Sequence, residues 1–505
     1  MKQRQIEIMD TTLRDGEQTS GVSFSATEKL TIAQLLLTEV KVNRIEIASA
    51  RVSEGEFQAV KRITSWASEN GHLDKIEVLT FVDGDTSINW VEKAGAQVMN
   101  ILTKGSLNHL THQLKKTPEQ HFKEIAAVIK KAQKKGIDSN VYLEDWSNGM
   151  RHSKEYVFQY IDFLSRQPVK RIMLPDTLGV LTPSETYTFL SEITRQYPQL
   201  HFDFHGHNDY DLGVANALEA VKAGVSGLHL TINGMGERAG NTPLASIVAV
   251  LNDFQKDVKT AVNEKALYKI SKLVEAFSGF RVSPNKPIVG ENVFTQTAGI
   301  HADGDKKKNL YYNDLMPERF GRKRKYALGK TSGKANIENN LAQLGIQLGD
   351  EDLKKVTQRI IELGDKKETV TQDDLPFVIS DVLDSNTTHE KVIVENYVLT
   401  HSKNMRPSTT VRIKFENDVV EENAQGDGQY DAFMNALKKI YTQKKLPLAK
   451  LADYIVRIPP GGKTDALCET IITWNLDGRE FLTTGLDSDQ TVAAIKATQK
   501  MLNLI

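Results

Sequence analysis

The sequence predicts an α/β protein: a (β/α)8 TIM barrel, then helical linker subdomains, then a duplicated βββα domain. Three observations point there. Strand-like and helix-like segments alternate eight times over residues 1–255. Ionisable residues collect at the C-terminal end of nearly every one of those strands. Residues 391–505 then change to a strand-rich pattern. The strands are predicted at 4–13, 44–50, 75–82, 97–103, 138–146, 171–178, 201–207 and 227–232, as short β-branched runs bounded by turn residues. The helices between and after them are predicted at 25–40, 53–70, 87–95, 117–135, 153–167, 182–197, 213–223 and 243–254. Ser25-x-x-Glu28 and Ser53-x-x-Glu56 read as capping boxes, and Thr117-Pro118 puts proline at a first helical position. A doubly wound open sheet also alternates, but rarely in eight such even units.

Past the barrel, 262–279 reads as a helix, and 283–335 is a long connection with Pro284, Pro287 and several glycines. Long ordered connections tend to be functional. Helical patterns return at 334–347, 350–364 and 371–384. Strands at 391–400, 408–415 and 417–422 then precede a helix at 430–443. The same order recurs as strands at 452–459, 466–475 and 479–484 before a helix at 488–503, a duplication of about 55 residues. The predicted domains are therefore 1–282, 283–390 and 391–505. The last carries no catalytic residue types and reads as a ligand-binding, regulatory module.

Composition narrows the function. Across 505 residues, 64 basic and 65 acidic side chains leave a net charge of −1, which gives neither nucleic acid nor an anionic membrane an electrostatic hold. No apolar run approaches the ~18 residues of a membrane span, and MKQRQIEIMD is too polar for a signal peptide. The single cysteine, Cys468, rules out an internal disulfide and every CxxC arrangement. A cytoplasmic enzyme is expected.

Residues Arg14-Asp15, Glu46, Thr103-Lys104, Glu144-Asp145, Asp176-Thr177, His205-Gly206-His207 and Asn233 end the predicted strands, where a barrel builds its active site. FHGHND at 204–209 is the sharpest signal. Strand residues two apart share a face, so His205 and His207 point together, while Phe202 and Phe204 face the helices. Two such imidazoles grip a divalent cation, with Asp15 the best-placed third ligand; Mn, Mg, Zn and Co all suit the donor set. Arg14 either neutralises a substrate carboxylate or oxyanion, or pairs with Glu46 or Glu144. Glu144 is a general base or a partner for Arg14. NGMGERAGN at 233–241 follows the eighth strand and lacks the dinucleotide spacing; its glycines allow close approach to a ligand, and Asn241 is an accessory ligand or a neighbour of one.

DTTLRDGEQ (10–18), FHGHND, NGMGERAGN and TQTAGIHADG (295–304) resemble, in this order, the DRE-TIM acyltransferases: the 2-isopropylmalate, citramalate and homocitrate synthases. GDGQYDAFMNAL (426–437) and RIPPGGKTDA (457–466) are similar to that family's C-terminal regulatory domain. The resemblance implies a metal-dependent Claisen condensation, in which acetyl-CoA loses a methyl proton and attacks the ketone of an α-keto acid. The residue chemistry fits it: Asp15, His205 and His207 hold the cation, Arg14 stabilises charge developing on the keto oxygen, Thr177 can hydrogen-bond the substrate carboxylate, and either Glu144 or a linker residue removes the acetyl proton, while the resemblance adds a place near the metal for Asn241. His301 and Tyr311 would reach the active site of the partner in a homodimer. Isopropylmalate synthases carry a small serine where YLEDWSNG has Tyr142, and Leu79 and Leu102 add further bulk. This cramped pocket suits pyruvate better than 2-oxoisovalerate, as in the citramalate branch, with isopropylmalate synthesis the alternative. Isoleucine is the expected inhibitor, held near Tyr430, Asp431 and Asp465. A lyase running the reverse cleavage is expected to place a cysteine in a barrel loop, and a non-enzymatic sensor has no need of intact Arg14, Asp15, His205 and His207.

Overall fold

The computed structural model describes residues 3–297, 310, 313–344, 346–365, 370, 372, 375–383, 391–416, 418–457 and 468–505. They fall into two compact units: 3–294 with 313–323, and the described residues of 295–312 and from 324 onward.

The first unit is a closed parallel barrel. Its strands are β1 (Glu7–Asp10), β2 (Arg44–Ser49), β3 (Ile76–Phe81), β4 (Val98–Lys104), β5 (Asp138–Glu144), β6 (Val169–Asp176), β7 (Phe202–Gly206) and β8 (Gly227–Leu230). They pair in chain order, and β1 closes on β8 from Glu7 opposite Gly227 to Asp10 opposite Leu230. Helices α1 (Ala26–Leu35), α2 (Glu54–Glu69), α3 (Thr86–Lys93), α4 (Pro118–Lys134), α5 (Lys154–Leu164), α6 (Pro183–Gln196), α7 (Gly213–Lys222) and α8 (Leu244–Phe254) follow the strands, and α9 (Leu267–Ser278) comes after the barrel.

Side chains alternate along each strand, and the two faces differ in kind. Ile8, Ile45, Val78, Ile101, Leu143, Ile172, Phe202, Phe204 and Leu228 belong to the core that also contains buried helix residues such as Ile32, Ile63, Ile125, Ile161 and Ile247. Met9, Leu79, Tyr142 and Met173 form a separate small cluster, with Leu102 against it. Polar residues share this inner face, including Arg44, Glu46, Glu77, Asn100, Asn140, Asp203 and His229, all buried. The apolar core lies between strands and helices; the barrel's interior is largely polar.

The predicted elements match closely, with local differences: the strands expected over 138–146 and 227–232 end at Glu144 and Leu230, and a helix over Trp146–His152 was not predicted. The strand expected over 4–13 is shorter. Arg4–Gln5 pairs with Val258–Lys259 outside the barrel, and beyond Asp10 the chain turns. The Asp10 carboxylate accepts the Thr12 amide at 2.9 Å, and the Arg14 and Asp15 amides both donate to the Thr11 carbonyl. The capping box at Ser25 is complete, as is one at Thr117 with Gln120. At Ser53 only half forms: Ser53 accepts the Glu56 amide, but the Glu56 carboxylate goes to Lys29.

In the second unit, α10 (Lys334–Gln343), α11 (Asp350–Asp365) and α12 (Leu375–Leu383) contribute to one apolar cluster that includes Ile337, Val356, Ile360 and Leu375. Two antiparallel three-stranded sheets follow, β9 (Val392–Thr400), β10 (Ser408–Phe415) and β11 (Asp418–Gln425), then β12 (Lys450–Arg457), β13 (Cys468–Leu476) and β14 (Arg479–Asp487). Each is completed by a helix, α13 (Gln429–Lys444) and α14 (Gln490–Leu504), and both halves feed one core around Phe433, Ile440, Trp474 and Met501. The repeat extends to single bonds: the Thr409 hydroxyl donates to the Gln429 carbonyl and the Thr470 hydroxyl to that of Gln490. The same step of 61 residues separates 409 from 470 and 429 from 490, longer than the sequence pattern suggested. Among the described residues no helix is long and apolar enough to cross a membrane.

Candidate active site and metal centre

The turn after β1 carries Arg14 and Asp15 and is held from behind. Lys29 of α1 is fully buried and reaches Glu17 at 2.5 Å, Glu56 at 2.6 Å and the Leu13 carbonyl at 3.2 Å. The Thr19 hydroxyl bonds the Gly236 backbone through both its amide and its carbonyl, tying this turn to the loop after β8. Arg238 of that loop in turn pairs with Asp209, just past FHGH. The three motifs therefore meet at one end of the barrel.

There Asp15 Oδ2 lies 3.2 Å from His205 Nε2 and 4.0 Å from His207 Nε2, and the two imidazole nitrogens are 3.3 Å apart. All three residues are buried. Donors at ~2.0–2.2 Å from one cation, at tetrahedral or octahedral angles, stand about 3.0–3.5 Å apart; His205 meets this spacing with both partners, and the Asp15–His207 separation of 4.0 Å is wider. Asn241 pairs its backbone with His207 and donates its amide to the Met235 carbonyl, yet its Oδ1 is buried without a hydrogen-bond partner among the described residues. Asp15 Oδ1 and Nδ1 of both histidines are orphaned likewise. Buried polar atoms are normally partnered, and the two orphaned oxygens, Asp15 Oδ1 and Asn241 Oδ1, fit a cation's surroundings. Gly236 has room for no side chain: a Cβ there would stand 2.2 Å from Asn241 Nδ2.

Electrostatics prepare the same donors. Burial works to raise the Asp15 pKa, but Arg14 and His205 hold it well below the ordinary carboxylate value. Burial pushes His207 down to about 4, with His205 adding to the effect, and lowers His205 against the pull of Asp15. The site therefore offers a carboxylate and two neutral imidazoles.

Arg14 pairs with Glu46, one of the two carboxylates expected, and with Asp15 beside it. Its Nε donates to Glu46 at 2.5 Å, Nη1 meets Asp15 at 3.2 Å and Nη2 reaches the Tyr142 hydroxyl at 3.5 Å. Glu144 is not its partner: that carboxylate pairs with Lys104 of β4. Thr177 accepts the Asp145 amide at 2.9 Å through its hydroxyl oxygen. Leu79, Leu102 and Tyr142, named from separate motifs, do come together, joined by Met9 and Met173 as an apolar patch inside the barrel. Two strand-end residues are spent on structure: Asp176 accepts the Val180 and Leu181 amides of the following turn, and Asn233 ties the loop after β8 to Ser271 of α9.

The sequence reading missed what lies beneath. Glu46 accepts from Asn100 at 2.7 Å, Asn100 from Asn140 at 2.9 Å, and Asn140 donates to Glu77 at 3.3 Å. Glu77 pairs with Arg44 at 2.9 Å, and Arg44 with Asp203 at 2.7 Å. Asp203 holds His229 at 3.0 Å and His229 holds the Tyr142 hydroxyl at 3.0 Å, which returns the chain to Arg14. The result is a closed ring of hydrogen bonds between two guanidiniums. Gly227 leaves space for it: a Cβ there would lie 2.1 Å from Asp203 Oδ1. The signal was present in RIEIAS, IEVLTF, FDFHG and GLHL, each of which sets a polar side chain among apolar ones inside a strand.

Of the remaining predicted residues, Tyr430 bonds Thr498 at 2.7 Å and lies against Phe433 and Tyr454, while Asp431 accepts the Asp427 amide and the Asn435 side chain within its own turn. His301, Tyr311 and Asp465 lie outside the described residues.

The HMGL-like family model matches residues 5–274, the barrel with all of these inner residues. The chain belongs to the HMGL-like family. Two further models divide the rest, homocitrate synthase post-HMGL domain-like over 288–368 and the LeuA allosteric (dimerisation) domain over 369–505. Among curated relatives of this HMGL-like chain, a putative (R)-citramalate synthase of Archaeoglobus fulgidus is 34% identical, covering 99% of this chain and 100% of the relative. Another protein of that name, from Methanopyrus kandleri, is 33% identical over 92% of this chain and 89% of its own. A 2-isopropylmalate synthase of Methanocaldococcus jannaschii is 34% identical, over 99% and 94%. These synthases and the three models place the chain among the DRE-TIM synthases.

Proposed function

We propose that the protein condenses acetyl-CoA with pyruvate to give (R)-citramalate and CoA, an acyl transfer that converts the acyl group to alkyl, in the route to isoleucine. The observation that carries this reading is the apolar patch of Met9, Leu79, Leu102, Tyr142 and Met173 inside the barrel, in which Tyr142 lies edge-on to the His205 ring at 6.3 Å. A neutral phenol in place of a small side chain takes volume from the acceptor's side-chain space, which suits a methyl group better than an isopropyl group. Asp15, His205 and His207, with Asn241, would hold a divalent cation (Mn, Mg, Zn or Co), which when bound supplies Lewis-acid polarisation of a keto oxygen.

The chain's own residues do the rest. Arg14 spends three N–H groups on Glu46, Asp15 and Tyr142, and its remaining donors stabilise negative charge developing on the acceptor oxygen. The Thr177 hydroxyl proton, not used in its contact with Asp145, donates to the acceptor carboxylate. Glu144, held ready by Lys104, takes a proton from the acetyl methyl. The electron pair of that C–H bond forms the new C–C bond, the ketone oxygen gains a proton, and water then cleaves the thioester to release CoA thiol. His301 and Tyr311 are assigned to the partner subunit's site in a homodimer, a reading supported by the match to the LeuA dimerisation domain. Isoleucine, bound by the duplicated domain near Tyr430, Asp431 and Asp465, is the proposed inhibitor.

The test is CoA-thiol release with a panel of α-keto acids. Pyruvate should exceed 2-oxoisovalerate in kcat/KM by more than the ~10–200-fold set by one methylene, because two methyl groups must be excluded. Tyr142→Ser should narrow that ratio. A preference of the unmutated protein for 2-oxoisovalerate would make it an isopropylmalate synthase.

A further inference from the structure

We propose that His229 and Asp203, neither of which lies at the end of its strand, are positioning residues that set acceptor selectivity by fixing Tyr142. The Asp203 carboxylate is fully buried and accepts from His229 Nε2 at 3.0 Å, from Arg44 at 2.7 Å and from His201 at 2.9 Å. A buried carboxylate at Nε2 puts the proton on that nitrogen and leaves the lone pair on Nδ1. The Tyr142 hydroxyl, 3.0 Å from Nδ1, therefore donates to His229. Its oxygen lone pairs are then free to accept from Arg14.

The imidazole restrains the ring as well as the hydroxyl. His229 meets Tyr142 edge-on, with centroids 5.4 Å apart and planes at 80°, and it meets His205 at 5.6 Å. Leu79 and Met173 belong to the same apolar cluster as the phenol. A tyrosine pinned at its tip and along its ring cannot swing aside for a branched acceptor. A phenol without the Nδ1 acceptor keeps its packing and the longer contacts to Arg14 at 3.5 Å and Glu46 at 3.4 Å, and, released from its shortest bond, its ring pivots about χ1 and χ2 into the adjoining space. Selectivity is thereby placed partly in residues that hold the pocket wall from behind. The inference rests on the proposed acceptor meeting Tyr142, and the experiment separates the two claims.

The kcat/KM values for pyruvate and 2-oxoisovalerate, read as CoA-thiol release, are compared among the unmutated protein, Tyr142→Phe, His229→Phe, His229→Gln and the double variant Tyr142→Phe/His229→Phe. The unmutated protein's preference decides the proposed function; the change of the ratio among variants decides this inference, whichever acceptor is favoured. His229→Phe should shift the ratio toward the branched acid by about tenfold or more, through KM, while kcat on pyruvate falls less than about threefold. His229→Gln should restore the ratio, since its amide oxygen accepts from Tyr142 and its NH2 group donates to Asp203. The double variant should shift no further than Tyr142→Phe alone, as expected for two residues acting through one bond. Equal loss on both acceptors, or a Tyr142→Phe ratio unchanged from the unmutated protein, overturns the proposal. Tyr142→Phe removes only a hydroxyl, so it decides the matter if His229→Phe does not fold.

Discussion

Asp10 and Asp15 are both buried on one short stretch of chain, and their surroundings push them in opposite directions. Asp15 has Arg14 and two histidines; Asp10 has only the Thr12 backbone amide and hydroxyl, so burial raises it to about 7. A carboxyl whose folded pKa is raised stabilises the fold fully below its unfolded pKa of about 4, and that contribution disappears as pH climbs to about 7. Asp10→Asn should therefore flatten the dependence of Tm on pH between about 4 and 7, measured by circular dichroism at fixed ionic strength. Identical slopes for the two proteins would show that Asp10 is ionised in the fold. His207→Ala makes a different kind of change: it should abolish CoA release and metal uptake measured by titration calorimetry, while costing under about 1 kcal/mol of stability. The site's upper residues were legible because motif residues with distinctive chemistry ended predicted strands. Arg44, Glu77, Asp203 and His229 were not, because a single polar residue in an apolar strand shows no partner until the barrel closes.

Elements were legible where a local device announces them. Ser25, Thr117 and Thr182 each cap a helix and accept the amide three positions on, and Pro118 and Pro183 begin theirs. The first strand was read too long because Thr11 and Thr12 are β-branched, whereas the Asp10 side chain captures the Thr12 amide and starts a turn. The end of α1 winds into a π-helical turn over Leu36–Val40, which closes at Lys41 in a left-handed conformation; nothing in LLTEV announces it. The tie between α1 and the first loop was equally hidden, since a helical lysine usually faces water. Removing one partner from a buried ion pair costs about 3–5 kcal/mol, so Lys29→Met should cost about 3 kcal/mol in urea unfolding. It should also lower activity by releasing Glu17 and the Leu13 carbonyl behind Arg14 and Asp15. Destabilisation with full activity would mean that the loop holds its shape without the lysine.

For the whole chain, the alternation that predicts a barrel and the βββα order that predicts a duplicated domain were both readable, because each is a long-period pattern. The length of the repeat was not, since no sequence signal marks equivalent positions, while paired bonds such as those of Thr409 and Thr470 mark it in structure. The long connection after α9 was recognised only by its length and mixed composition. Function at this scale is tested by truncation before residue 391. Isoleucine should inhibit the full-length protein, with a coupling of about 1–3 kcal/mol, and leave the truncated one untouched. Leucine titrated alongside serves as the control for specificity. If the intact protein ignores both amino acids, the duplicated domain serves assembly alone.

The ring that runs from Arg14 to Arg44 and back has a consequence for how the sequence can change. It sets two guanidiniums among the buried carboxylates of Glu46, Glu77 and Asp203, so each member's acceptable neighbours depend on the others. Single exchanges there strand a charge, and their effects do not add. A library varied at 142 and 229 together therefore reaches acceptor pockets that one varied at residue 142 alone does not.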